Sequence, residues 1–132
     1  MGKKDRAASG YPPVGRTEFG WIEVAGERWE KDVLITADGR VRKRPKKLSK
    51  PYAAGHTPLG PEEMARALAG EPAVLLVGTG QWGSLPVMEE ARQVAGARGI
   101  ALETMTTPAA IARYQILVQE GRRIAAIFHL TC

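Results

Sequence analysis

The sequence is short of nearly everything that marks a familiar chemistry. Its single cysteine, Cys132, excludes an internal disulfide framework and offers no thiolate cluster for a structural zinc. Apolar runs such as Ala73 to Val77 fall far short of the roughly 20 residues a membrane span takes. The start, Met1-Gly2-Lys3-Lys4-Asp5, has basic residues but no apolar stretch behind them, so it does not read as a secretory signal. HExxH, GxSxG and the P-loop pattern are missing. The two histidines, His56 and His129, have no acid or thiol beside them in sequence that would make a recognisable catalytic group. A Cys–His pairing of spatial neighbours stays open, with a structural histidine and a terminal thiol the better reading. The expectation is a cytoplasmic chain with no catalytic residue, no metal, no cofactor and no membrane contact.

What is present describes one domain. The 132 residues are 44% hydrophobic and 25% charged, ordinary for a globular chain with a real core. The net charge of +5 is local: residues 1–60 hold 13 Lys/Arg against 7 Asp/Glu, and residues 61–132 hold 6 against 7. Most of the excess lies in "RVRKRPKKLSK", where Arg42, Lys43, Arg44, Lys46 and Lys47 form a candidate basic patch. Such a run can grip phosphates, but only Tyr52 is near enough to stack on a base, so a solvated loop is favoured over a nucleic-acid site.

The two halves follow different patterns. Residues 1–16 have no apolar period and read as a disordered tail, leaving 17–132 as the domain. "FGWIEVAGERWEKDVLIT" alternates, with Ile22 and Val24 facing one way, a hairpin turn at Gly26-Glu27, and Val33 to Thr36 continuing the second strand. "TADGRV" is a further turn leading to a strand near Val41. Pro61-Glu62-Glu63 then opens a helix. Strand 73–77, helix 86–97, strand 100–104, helix 108–119 and strand 123–130 follow as a βαβ pattern.

"VLLVGTGQWGSLP" spells GxGxxG after a strand, the letters of a dinucleotide fingerprint, and Glu103 lies 20 residues beyond Gly83. Ser84-Leu85-Pro86 delays the following helix, however, and Trp82 adds bulk where backbone must approach a pyrophosphate. A glycine turn is the better reading. The loops at 78–85 and 104–107 still share one sheet edge, where helix N-termini suit a small anion or a partner carboxylate. Gly78, Thr79, Gly80, Gln81, Gly83, Ser84, Thr106 and Thr107 are its candidate contacts, with Tyr114 and His129 as further candidates. Alternatively, Thr106 or Thr107 merely caps the next helix.

Four segments, "FGWIEVAGERWEKDVLI", "GHTPLGPEEM", "LLVGTGQWGSLPV" and "GIALETMTTPAAIARYQILVQEGRRIAAIFHLTC", together resemble the adipogenesis-associated domain family over residues 17–132. That family includes a mitochondrial complex I assembly factor and many bacterial and archaeal proteins of unknown function. The resemblance implies a single α/β domain: a central mixed sheet with flanking helices, a last strand antiparallel to the others, and an N-terminal antiparallel β-hairpin layer. It implies no reaction. Two departures stand out: Tyr114-Gln115 replaces the family's usual Tyr-Asn, and the Arg/Lys run replaces tryptophans before "GH". Contacts made through those residues are therefore not carried over, nor is the complex I role. The leading expectation is a partner-binding or assembly-type module, monomeric or weakly homodimeric, that uses the glycine-loop edge. A small-molecule or anion binder, or an enzyme, with its crevice between Gly78–Ser84 and Thr104–Pro108 is the alternative, and weak nucleic-acid binding through Arg40–Lys50 the third.

Overall fold

Alternating burial builds the first sheet. The computed structural model describes residues 10–132. In it, Ile22 and Val24 are buried while Trp21 and Glu23 are only half-buried. Strands β1 (Val14–Glu18), β2 (Trp21–Val24) and β3 (Glu27–Trp29) pair antiparallel in that order. The β2–β3 turn is Ala25-Gly26, at φ 53° and 80°, the two-residue geometry whose twist matches its strands.

A second sheet has five strands: β4 (Val33–Ile35), β5 (Val41–Lys43), β6 (Val74–Thr79), β7 (Ala101–Met105) and β8 (Ile124–His129), in the order β5-β4-β8-β6-β7. Val33–Thr36 does not continue the hairpin, as the alternation suggested. Val33, Leu34 and Ile35 are all buried, so this segment needs cover on both faces, which only the central sheet provides. The turn before β5 lies where expected.

The implied antiparallel last strand is also corrected. β8 runs parallel to β6, and its antiparallel neighbour is β4. Helix α3 (Thr107–Gln119) carries the chain from the end of β7 back across the sheet, so β8 sets off in the direction of β6 and β7. The mixed α/β architecture with its antiparallel N-terminal layer is as expected.

Helices cover both faces. α1 (Pro61–Ala67) opens with proline and two acids, and α2 is Glu89–Ala97. Both pack on Leu34, Leu75, Val77 and Ile127. α2 starts three residues later than Pro86 because Val87 pairs with Leu59, and the Leu59 amide on Pro86 O and the Met88 amide on Leu59 O hold that stretch extended. The other face, with Val33, Leu76, Ala126 and Phe128, packs on α3 and on Ile22 and Val24 of the first sheet.

Part of the expected 1–16 tail, residues 1–9, lies outside the described residues. Residues 10–16 belong to the domain. Tyr11 is buried, donates to Ala37 O at 2.7 Å and accepts from the Ile124 amide at 2.9 Å.

Candidate functional site

The glycine loop holds its own chain. Gly80 N donates to Thr107 Oγ1 at 2.9 Å, Gln81 N to Thr131 O at 2.8 Å, and Trp82 N and Ser84 N to the Cys132 main-chain oxygen at 3.1 and 3.0 Å. Gly83 N donates to Gly80 O, and Leu85 N to Thr79 O. Every amide from Gly80 to Leu85 is thus engaged, and none is left to cradle a phosphate or carboxylate. At the helix end, Thr107 N donates to Gly80 O and Pro108 has no N–H.

The glycines serve close approach. A Cβ on Gly78 would stand 2.9 Å from Thr107 Oγ1, so glycine there lets α3 abut β6. Thr107 is buried and does not cap its helix: its hydroxyl donates to His129 O at 2.5 Å while receiving the Gly80 amide. Thr106 occupies the cap position without a side-chain cap bond. Thr79 turns inward and donates to Met105 O. Gln81 Nε2 reaches Thr17 Oγ1 at 3.2 Å, tying the loop to the first sheet. Of the candidate residues, Tyr114 is remote from this edge in its bonding. It is buried against Phe128 and donates to Pro12 O at 2.6 Å, and burial pushes its phenol well above the ordinary value.

What the loop presents outward is aromatic. Trp82 is 68% exposed and Phe19, from the β1–β2 turn, is 54% exposed, with ring centroids 5.5 Å apart. The turn is pinned in place by the Gly20 amide on Leu130 O.

At the same end of the sheet, three ionisable residues form a row across β5, β4 and β8. One step beyond the pair Val33↔Phe128 stand Asp32 and His129, and the Arg44 amide donates to Asp32 O at 2.9 Å. Asp32 Oδ2 lies 2.7 Å from His129 Nδ1 and accepts from Arg44 Nη1 at 3.1 Å, while Oδ1 accepts the Leu130 amide at 3.0 Å. Arg44 also grips Glu63 bidentately, Nε to Oε2 at 2.6 Å and Nη2 to Oε1 at 3.0 Å, and donates to Pro58 O. Ser49 Oγ completes the cluster by donating to Glu63 Oε1 at 2.6 Å. Burial pushes the Asp32 carboxyl up, but the His129 contact, the Leu130 amide and the Arg44 charge more than reverse this and hold it below the ordinary value. Burial would likewise lower Arg44, yet Glu63 and Asp32 raise it.

This corrects the basic patch. Arg44 is a buried, fully paired cation, whereas Arg42, Lys43, Lys46 and Lys47 are exposed. The sequence reading did not single out Asp32, Glu63 or Ser49, nor the outward role of Phe19 and Trp82. Beside the row is a hollow of about 270 Å³ whose wall includes Gly20, Lys31, Lys43, Lys46, His129 and Thr131. A larger groove of about 880 Å³ runs between Tyr11–Val14 and the Tyr114–Gln119 face of α3. Its inner polar groups serve the fold: Tyr11 bonds Ala37, Tyr114 bonds Pro12, and Gln115 bonds Val14 O. Among the described residues no group of three or more His, Cys, Asp or Glu converges as for a metal, and no helix is long and apolar enough to cross a membrane.

Comparison with known proteins places this arrangement among relatives. Residues 14–129 match the family described as "Protein of unknown function (DUF498/DUF598)". A conserved hypothetical protein of Pyrococcus horikoshii superposes with TM-score 0.78 at 30% identity, over 90% of this chain and 98% of that one. A protein of Xanthomonas campestris gives TM-score 0.73 at 28% identity, over 90% and 84%. A Bordetella pertussis protein described as a Mth938-like domain gives 0.62 at 26%, over 93% and 87%. Among curated proteins there is no significant match.

Proposed function

The chain belongs to the DUF498/DUF598 family of proteins of unknown function, and from that footing we propose that it is a non-catalytic partner-recognition module. Its contact surface is the outer face of the glycine loop, with Trp82 and Phe19 as anchors. The observation that carries this reading is the exposed aromatic pair. Two large rings left side by side in water are the residue type and arrangement that dominate binding energy when a partner covers them. The saturated loop supports the same reading. Because its amides are bonded to Thr131 and Cys132, the loop is stiff and Trp82 is presented with little ordering left to lose on binding.

The crevice alternative, in which loop amides hold an anion, finds every amide from Gly80 to Leu85 already bonded within the chain. The nucleic-acid alternative loses Arg44 to Glu63 and Asp32.

The test is quantitative co-purification of the tagged chain from its own cells, beside a Phe19→Ser/Trp82→Ser variant. A stoichiometric partner recovered with the native chain and lost from the variant, at unchanged thermal stability, is expected. Equal recovery with both chains overturns the reading. Sedimentation of the two purified chains identifies the case in which the partner is a second copy.

A further inference from the structure

The row Arg44–Asp32–His129 ends at the 270 Å³ hollow, and its chemistry differs from that of the aromatic face. Asp32 accepts from Arg44 and from the Leu130 amide, but Arg44 is shared with Glu63, so its one charge faces two carboxylates and Asp32 keeps negative character toward His129. A carboxylate only accepts, so the His129 nitrogen facing it, Nδ1, is the one that carries the proton. Nε2 is therefore the nitrogen left to gain or lose a proton. It lies 3.3 Å from Thr131 Oγ1, and both residues line the hollow.

The rest of the wall carries one carboxylate, Glu30, against four cations, Lys31, Lys43, Arg44 and Lys46. Glu30 is engaged by Arg28 at 3.4 Å, and the Arg44 charge is consumed by Glu63 and Asp32. Lys31, Lys43 and Lys46 have no carboxylate within ion-pair distance among the described residues. The His129 Nε2, the Thr131 hydroxyl and three ammonium groups without a carboxylate partner thus surround one small concavity. Its volume suits a group of a few heavy atoms rather than a drug-sized ligand.

We propose that this hollow binds a phosphate group, free or carried by a small metabolite, with protonated His129 Nε2 and Thr131 Oγ1 donating from the floor and Lys43 and Lys46 closing over it. Asp32 stabilises the imidazolium that faces the anion, so binding and protonation reinforce each other. The charged groups around His129 are Asp32, Arg44, Glu30 and the three lysines. Inorganic phosphate also changes its own charge near neutral pH, a contribution that the sulfate arm of the test removes. The site neighbours the proposed docking face at Gly20 but does not depend on it, and its test involves no partner.

The experiment follows the imidazole NMR signals of the full chain, with exposed His56 as internal control. Inorganic phosphate, titrated against chloride at equal ionic strength, is expected to move the His129 signals saturably and to raise the pH midpoint of their titration. His56 stays where it was. With sulfate, which is dianionic throughout, affinity is expected to rise as pH falls through that midpoint. Lys43→Gln/Lys46→Gln, altering two exposed side chains, is expected to weaken phosphate binding about tenfold. His129→Gln is expected to abolish the pH dependence measured by calorimetry. Equal movement of both histidines, a shift that follows ionic strength alone, or unaltered affinity in the double-lysine variant overturns the proposal. An arm with phenyl phosphate separates free phosphate from an ester: tighter binding than inorganic phosphate assigns the site to a carried phosphate group, equal or weaker binding to the free ion.

Discussion

A β-carbon built on Gly80 would stand 2.3 Å from the main-chain carbon of Cys132. The glycine loop and the segment after β8 are in backbone-to-backbone contact, and Gly80 sits at φ 110°, where side chains are disfavoured. Gly80→Ala is therefore expected to destabilise by about 2–4 kcal/mol, combining overpacking with left-handed strain. Urea denaturation measures the loss, and hydrogen exchange should show the Gln81, Trp82 and Ser84 amides losing protection. Gly83→Ala is the contrast. Its Cβ would make only ordinary contacts at 3.6 Å, so only the strain, about 1–2 kcal/mol, is expected.

Arg44 and Glu63 are buried as a bidentate pair, so removing one partner strands the other charge. Glu63→Gln or Arg44→Met alone is expected to cost about 3–5 kcal/mol. The double replacement Arg44→Met/Glu63→Leu should cost much less than the sum of its singles. Additive losses in a double-mutant cycle would show that the pair is not coupled.

Asp32 links the same cluster to pH. Its carboxyl is held below the ordinary value in the folded chain, so the stability it contributes is complete above the unfolded value, near 3.8. It is lost as pH falls through the lower, folded value. Asp32→Asn is expected to reduce stability at neutral pH and to flatten the acid limb of the stability profile. Parallel acid limbs for the two chains, followed by denaturant midpoints from pH 6 to pH 2, would contradict this.

The aromatic pair should matter to partners and hardly to folding. Trp82→Ser is expected to change stability by no more than about 0.5 kcal/mol, because the ring is mostly in water. A larger loss in thermal unfolding would mark Trp82 as part of the core packing and not as a docking anchor.

Much of the architecture was legible in local pattern. Ile22 and Val24 announced a one-sided strand, the unbroken Ala73–Val77 run a strand covered on both faces, and Pro61-Glu62-Glu63 a helix start. The cluster around Arg44 was not legible, for a physical reason. Asp32 and His129 meet across 97 residues, Arg44 and Glu63 across 19, and only the pairing of β4 with β5 and β8 brings them together. Arg44 looks like its neighbours Arg42 and Lys43 until the strand's end turns it inward. The delayed helix after Ser84 breaks the dinucleotide spelling, yet the occupant of the loop, the chain's own Thr131–Cys132 segment, leaves no local signal.

The strand farthest along the sequence is also the middle strand of the five. Until β8 arrives, the antiparallel β4–β5 and the parallel β6–β7 are two-stranded fragments, each with an unpaired inner edge. A chain emerging from the ribosome must wait for residues 124–129 before those edges close, and contacts at this separation form slowly. The interval is one in which exposed strand edges invite chaperones or wrong pairings. Folding yield in the cell therefore depends on how quickly Ile124–His129 threads between strands made long before it.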